Sequence, residues 1–254
     1  SLTGSLPSEL GNLTILQLFT GHGNNLSGTI PSQMGHMLML TLNGTSLTGT
    51  IPTELGRLTV MTHLNLNTNM LSGTLPRETG NNLNLTELFM SNNNITGTLP
   101  TELGRLSRLK TLHVGNNFFT GTLPTELGQL TNLQTLFLDY NAFHGTLPTE
   151  FGKLQALQFF FADNTPLTGV LPTELGLWTS LRSFLAISND FTGTLPTELG
   201  KLTALELFLI DDNPLMGRLP TELGLLTGIR VLLVSRTDLT GTIPAELGRL
   251  TNIQ

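Results

Sequence analysis

The chain has 254 residues, of which 39% are hydrophobic, and it carries a formal net charge of −6 and no cysteine. The missing cysteines exclude disulfides and thiolate chemistry, the absence of a basic stripe argues against nucleic acid, and no apolar run could span a bilayer. Ten of the 18 acidic residues are one recurring glutamate, so most of the negative charge belongs to a repeated scaffold.

The organising feature is a phrase close to Leu-Thr-Gly-Thr-Leu-Pro-Thr-Glu-Leu-Gly, which returns eleven times and nearly always 24 residues apart. A fixed period of this length predicts stacked coils in which each coil buries its apolar side against its neighbours. We therefore expect a single domain over residues 1–254, with ten full repeats, a partial eleventh and no caps. The prolines of the eleven copies are Pro7, Pro31, Pro52, Pro76, Pro100, Pro124, Pro148, Pro172, Pro196, Pro220 and Pro244.

The copy Phe119–Ala142 serves as the reference, with Phe119 at repeat position 1. Its first positions predict a short extended segment, with glycine at position 3 and an edge-type proline at position 6. The Thr-Glu-Leu-Gly stretch that follows is too short for a regular helix and predicts 3₁₀ or α turns. Positions 17 to 21 alternate outward and inward residues, which is the period of a strand. We expect the asparagine at position 23, Asn141 here, to satisfy backbone groups where the chain turns inward.

The string LxGxLPxELGxLxxLxxLxLxxN resembles the plant-type leucine-rich repeat of receptor-like kinase ectodomains and polygalacturonase-inhibiting proteins, and it is also similar to repeat proteins of algae and other protists. The resemblance covers essentially the whole chain. It implies an α/β solenoid, in which a right-handed superhelix has a concave parallel β-sheet and short 3₁₀ or α turns on its convex side.

The outward positions 17, 19 and 21 should form the concave surface. Position 19 is polar in the first three coils, where it is Thr20, Thr41 and Asn65, and it becomes mostly aromatic or aliphatic from the fourth coil onward. A contiguous exposed apolar patch usually marks a contact surface, although scattered apolar residues are common on any surface. We predict a solvent-exposed binding stripe with a polar edge, formed by Phe89, His113, Phe137, Phe159, Phe161, Leu185, Leu209, Leu233, Asp139, Tyr140, Asp163 and Asp211.

Two features could support chemistry. Asp139 and Asp163 occupy the same position in adjacent coils and should lie about 5 Å apart, a spacing open to acid–base work or Ca²⁺ binding. A solvated rim is the simpler interpretation, because a site needs a convergent pocket. His63 and His113 face the same side two coils apart, about 10 Å, which is too far to share a metal. We predict no catalytic residue, no metal and no cofactor.

Two features of the surface bear on location and on a different function. N-glycosylation sequons occur at Asn12, Asn25, Asn43, Asn84 and Asn94, and chance alone would give about as many. Thr-Gly-Thr at positions 2 to 4 builds threonine rows that resemble ice-binding surfaces, but His144, Val170, Met216 and Arg218 interrupt them. β propensity and a wettable edge also explain such rows.

The first functional hypothesis is an extracellular or cell-surface recognition module that docks a protein or peptide on its concave face, with any leader or anchor outside this segment. The alternative is a structural, self-associating protein, in which copies stack head to tail into a glycosylated filament or surface layer.

Overall fold

The computed structural model describes residues 1–34 and 37–253, and it has the expected stack of coils. Each coil adds one short strand to a ten-stranded parallel sheet. Pairing is in register, so that Thr135 of one coil lies opposite Phe159 of the next. The strands of this concave sheet are Leu18–Thr20, Met39–Thr41, His63–Asn65, Glu87–Phe89, Thr111–His113, Thr135–Phe137, Phe159–Phe161, Ser183–Leu185, Leu207–Leu209 and Val231–Leu233.

The inward positions of these strands form one continuous core. Leu136 and Leu138, at positions 18 and 20, are fully buried. In the later coils phenylalanine replaces leucine at position 18, and the rings of Phe160, Phe184 and Phe208 follow one another with centroids 5.3 and 5.2 Å apart. Because each inward side chain packs on its counterparts in the coils above and below, the stack holds itself together along its length.

The convex side consists of 3₁₀ turns, as the sequence predicts. Each turn is five residues long and follows a proline in extended conformation, such as Pro124 with φ −63° and ψ 129°. The turns are Ser8–Asn12, Thr53–Arg57, Arg77–Asn81, Thr101–Arg105, Thr125–Gln129, Thr149–Lys153, Thr173–Leu177, Thr197–Lys201, Thr221–Leu225 and Ala245–Arg249. The predicted fold class, a solenoid with a concave parallel sheet and short convex turns, is confirmed.

The extended segments at the start of each coil form a second parallel sheet on the flank, and prolines interrupt it. Asp190 N–H donates to the Leu167 carbonyl at 2.8 Å. Pro166 and Pro214 stand at the same repeat position and have no N–H to donate, so each coil loses this bond and keeps only the next one, from Thr168 to Gly145 and from Met216 to Gly193. The flank strands are Thr3–Ser5, Asn25–Gly28, Ser46–Thr50, Met70–Thr74, Asn94–Gly97, Phe118–Gly121 and Ala142–Phe143, then Thr168–Val170 with Asp190–Thr192, and Met216–Gly217 with Asp238–Leu239.

The asparagine at position 23 satisfies backbone groups at the inward turn, as expected, and it also ties adjacent coils together. Asn117 Nδ2 donates to the carbonyls of Met90 at 2.9 Å, Val114 at 3.1 Å and Gly115 at 3.2 Å, and its Oδ1 accepts the Ile95 N–H at 3.0 Å. These backbone groups would otherwise be buried without partners, which is costly. Four other coils repeat the full arrangement, at Asn69, Asn93, Asn141 and Asn213.

One backbone feature was not predicted. The residue at position 22 has a positive φ in eight coils, for example 51° at Tyr140 and 56° at Thr68. Glycine and asparagine adopt this left-handed conformation most easily, whereas a β-branched residue is strained in it. Asn92, Asn116 and Asn164 suit the position, but Thr68, Tyr140 and Arg236 do not. The stack therefore imposes the turn on whatever residue stands there.

Candidate functional site

Four aromatic side chains at position 19 stack along the concave sheet. His113 lies parallel to Phe137, with ring centroids 4.0 Å apart and planes 6° apart. Phe137 in turn stacks on Phe161 at 4.2 Å and 7°. Phe89 closes the row with an edge contact to His113 at 4.8 Å and 83°. In-register pairing of parallel strands places equivalent residues side by side, and we call these four residues the aromatic ladder.

The ladder corrects the expectation of a solvent-exposed stripe. Phe89, His113, Phe137 and Phe161 are all half-buried, because His113, Phe137 and Phe161 stack face to face and Phe89 packs edge-on against His113. The stacked rings expose mainly their edges to a ligand, and the edges carry the positive end of the ring quadrupole. The surface is therefore apolar and ordered, because contacts between the rings already hold the side chains in place.

Aliphatic side chains continue the stripe beyond the ladder. Leu185 and Leu209 are half-buried, and Leu233 is 39% exposed. Phe159 lies beside Phe161 at position 17 of the same strand and is also half-buried. The predicted stripe residues thus do share one face of the concave sheet.

Position 19 is polar in the first coils, although Leu18 at position 17 is exposed on the same sheet. Thr41 and Asn65 take the place of the rings, and His63 Nε2 lies 3.6 Å from Glu87 Oε1 across the sheet. His63 Nδ1 is also 2.7 Å from the Thr62 hydroxyl. Both ring nitrogens of His63 therefore have local partners.

His113 sits in an apolar environment between two phenylalanines. Burial lowers the pKa of His113 to about 4, so the ring is neutral at physiological pH. Its Nε2 is buried and has no hydrogen-bond partner among the described residues. The imidazole therefore acts as an aromatic member of the ladder.

The carboxylates of Asp139 and Asp163 line the edge of the ladder at position 21. Burial raises the pKa of both carboxyl groups. At Asp139 the negative charge of Asp163 raises the pKa further. At Asp163 the Ile187 N–H, which its Oδ1 accepts at 2.7 Å, lowers the pKa and so opposes the effect of burial. Asp139 leans over Gly115 of the preceding coil, where a Cβ would lie 2.6 Å from its Oδ1. The sequence analysis did not identify Gly115 as part of the site. The available signal was a glycine at repeat position 21, which is polar in most coils. Within residues 1–34 and 37–253, no three histidine, aspartate or glutamate side chains converge to hold a metal.

The two other predicted edge residues are Asp211 and Tyr140. Asp211 is 7% exposed, and its Oδ1 accepts the Ser235 N–H at 2.5 Å, the same bond to the following coil that Asp163 makes with Ile187. The prediction that Asp211 lies exposed at the polar edge was therefore wrong, because its side chain is buried. Tyr140 is exposed at the left-handed turn and does point away from the core.

The sequons divide by exposure. Asn12, Asn25 and Asn94 are exposed, whereas Asn43 and Asn84 are half-buried. Asn84 is also engaged on both sides, because its Nδ2 donates to the Thr59 carbonyl at 2.8 Å and its Oδ1 accepts Arg108 Nη1 at 2.7 Å. A glycan on Asn84 would have to break these contacts.

The threonine rows on the flank are conformationally uniform. A Cβ on Gly121 would lie 2.8 Å from Thr98 Cγ2, so each position-4 methyl rests against the glycine of the next coil. Thr96 Oγ1 donates to the Gly73 carbonyl at 3.1 Å, and other position-2 hydroxyls do the same. The contact between the threonine methyl group and the glycine of the next coil recurs with one rotamer at Thr29, Thr50, Thr74, Thr98, Thr122, Thr146 and Thr194.

Comparison with known proteins agrees with this architecture. The model of the Leucine Rich Repeat family matches residues 84–106, 108–130 and 132–154. The crystal structure of a TDR receptor superposes with a TM-score of 0.96 at 30% identity, over 99% of this chain and 44% of that one. The Arabidopsis receptor kinase HAESA, in complex with the peptide hormone IDA and the co-receptor SERK1, gives 0.85 at 27% identity, over 99% and 47%.

A plant ice-binding protein is also similar, with a TM-score of 0.77 at 27% identity, over 96% of this chain and 80% of that one. No curated protein matches the chain by sequence. Three leucine-rich repeats are thus identified in the middle of the chain, and the chain has the fold of these receptors, which confirms the resemblance read from the repeat pattern. It spans less than half the length of the two receptor chains. In the part of the chain that the structure describes, no helix is long and apolar enough to cross a bilayer.

Proposed function

We propose that this chain is a non-enzymatic module that recognises a protein or peptide through its concave face, with the aromatic ladder as the anchor. The observation that carries the proposal is the ladder itself, four in-register rings on the concave sheet that leucines extend. Interface hot spots are enriched in aromatic residues that are already rigid, because little entropy is lost on binding. The likeness to HAESA, a receptor that holds a peptide hormone, supports a peptide as the ligand.

An extracellular or cell-surface location fits this role. The likeness to two plant receptors and the exposure of Asn12, Asn25 and Asn94 support that placement. Expression in a glycosylating host, followed by mass spectrometry, should find glycans at these three asparagines and not at Asn84.

The test is a selection of linear 12-residue peptides from a displayed library on the purified chain. Binders should lose about a hundredfold in affinity, or more, on the Phe137→Ala/Phe161→Ala double variant. The double variant Thr98→Ala/Thr122→Ala, on the flank, is the matched control and should bind normally. Binders that are indifferent to the ladder would overturn the proposal. Circular dichroism checks that both variants remain folded.

Self-association is the competing hypothesis. Light scattering on the purified chain separates the two, because a mass that grows with concentration favours a structural polymer. A monomer at high concentration contradicts that role.

A second candidate function is ice binding on the flank. The uniform rotamers of the threonine rows support it, since an ordered lattice needs hydroxyls and methyls at repeated orientations, and the likeness to a plant ice-binding protein adds to it. The wild-type chain should slow ice recrystallisation, and Thr98→Lys/Thr122→Lys should abolish the effect. Gln129→Lys on a convex turn is the matched control. Ice growth unaffected by the wild-type chain would contradict this candidate.

A further inference from the structure

We propose that a pocket at the turns beside the concave sheet binds a neutral sugar unit, with Phe118 and Tyr140 as its apolar surfaces and the amides of Asn116 and Asn164 as its hydrogen-bonding groups. The pocket has a volume of about 370 Å³ and is lined by eight uncharged residues, five of them asparagines. None of the eight belongs to the aromatic ladder, so this is a second site, separate from the one proposed for a peptide.

The two rings of the pocket are exposed. Phe118 is 59% exposed and Tyr140 is 56% exposed, whereas every other phenylalanine and the tryptophan are buried or half-buried. Neither ring takes part in the ring–ring contacts of the described residues. A ring without a stacking partner can offer its face, which is the negative end of its quadrupole and attracts the weakly positive C–H groups on one side of a sugar ring.

The polar groups of the pocket are amides. Asn116 and Asn164 are exposed at position 22 of the two coils that flank Tyr140. Asn116 Nδ2 donates to Asn92 Oδ1 at 2.6 Å, and this bond orients the Asn116 amide. A primary amide has two N–H donors and an oxygen acceptor, so Asn116 keeps a donor and an acceptor for a ligand. Adjacent hydroxyl groups of a sugar need both kinds of partner.

The repeat both opens the pocket and holds its backbone in place. Position 24 is Phe118 in one coil and the short Ala142 in the next, where the two flank strands pair in parallel. The Tyr140 N–H donates to the Asp163 carbonyl at 2.8 Å, and the Tyr140 carbonyl accepts the Asn117 N–H at 3.2 Å. A ligand would therefore meet a backbone that is already ordered, which reduces the entropy lost on binding.

A neutral sugar fits these features together. It has an apolar C–H face for the rings and hydroxyl groups for the amides, the combination of apolar lining and a few polar groups that small-ligand sites use. An acidic sugar or a charged peptide side chain would find no ionic partner among the eight lining residues. The pocket therefore favours a neutral ligand over a charged one.

The test is an aromatic ¹H–¹³C NMR titration of the chain with three neutral oligosaccharides: cellohexaose, laminarihexaose and mannohexaose. Tyr140 is the only tyrosine, so its ring signals need no further assignment. The signals of Tyr140 and Phe118 should shift and saturate with at least one of the three, while those of Phe137 in the ladder stay unchanged. Hexagalacturonic acid, which carries carboxylates, should bind about tenfold more weakly or not at all.

The variant Phe118→Ala/Tyr140→Asn exchanges both rings for residues that neighbouring coils carry at the same positions, Ala142 and Asn116, so the coil should remain intact. It should weaken oligosaccharide binding about tenfold or more. Met70→Ala removes an exposed side chain from position 24 of an earlier coil and is the matched control. This control and the ladder variant Phe137→Ala/Phe161→Ala should bind the oligosaccharide as the wild type does.

The outcomes separate the sugar site from the peptide site. No saturable shift at Tyr140 with any of the three neutral oligosaccharides would overturn the sugar site and leave peptide recognition standing, and so would equal binding by Phe118→Ala/Tyr140→Asn. If the library-selected peptides lose as much affinity on Phe118→Ala/Tyr140→Asn as on the ladder variant, the pocket belongs to the peptide site, which also overturns the proposal.

Discussion

The early and late coils of the concave sheet share one backbone and present different surfaces. Thr41 and Asn65 occupy position 19 in the second and third coils, and Phe137 and Phe161 occupy it in the sixth and seventh. In both regions the inward leucines are buried and the strands pair in register. Outward positions can therefore change from polar to aromatic without altering the stack, which separates the residues that make the fold from those available for recognition.

The largest effect should come from removing a part that both regions share. Asn117→Ala leaves three carbonyls and one N–H without their side-chain partner, and we expect a loss of about 3 kcal/mol in the free energy of unfolding. Denaturant titration measures it. The exposed Asn94→Ala serves as control and should change stability by under about 0.5 kcal/mol. Equal losses for the two variants would mean that the asparagine row does not tie the coils.

A second prediction concerns the ladder and acidity. Burial lowers the pKa of His113 to about 4 in the folded chain, below the ordinary histidine value of 6.5, so the unfolded state takes up the proton first as pH falls. This residue therefore lowers stability progressively between about pH 6.5 and 4, and has no such effect above that range. His113→Phe should reduce the loss of thermal stability between pH 7 and 4.5. The exposed His144→Phe should not, and an unchanged pH dependence of His113→Phe would contradict the burial of the imidazole.

A third prediction extends the late surface into the early region. Asn65 pairs in register with Phe89, so Asn65→Phe should add a ring to the ladder and raise stability by about 0.5 to 1 kcal/mol. Asn65→Ser, which adds no ring, is the control. A gain no larger than that of the control would show that stacking is not set by register alone.

The smallest effect should come from the left-handed turn. Thr68 has a φ of 56° where the later Asn92 has 59°, and asparagine tolerates this conformation better than a β-branched residue. Thr68→Asn should raise the free energy of unfolding by about 0.5 kcal/mol. A less stable Thr68→Asn variant would show that contacts of Thr68, and not its backbone conformation, decide which residue suits this turn.

The sequence predicted the stack well, because the fold depends on positions that recur in nearly every copy. The inward pair at Leu136 and Leu138, a short helical turn after Pro124 and the pairing of Asn117 with backbone groups follow from residue type and spacing alone. The breaks in the flank sheet at Pro166 and Pro214 were also visible in principle, since both prolines stand where a neighbouring coil donates an N–H.

The site was harder to predict. The stripe residues were identified by alternation, but their half-burial depends on contacts between coils, which one repeat does not reveal. Asp211 and Asp139 occupy equivalent positions, yet Asp211 caps Ser235 while Asp139 leans over Gly115. The residue type of Tyr140 does not predict its left-handed φ, because the stack enforces this conformation. Such features depend on which side chain stands in the adjacent coil.

The most direct test of recognition by the late concave surface is an aromatic ¹H–¹³C NMR titration with a library-selected peptide. Phe118 is the internal control, because it is 59% exposed and lies outside the ladder. The signals of Phe89, Phe137 and Phe161 should shift together and saturate, while those of Phe118 stay unchanged. Shifts at Phe118 with an unperturbed ladder would contradict the assignment of the concave face as the binding surface.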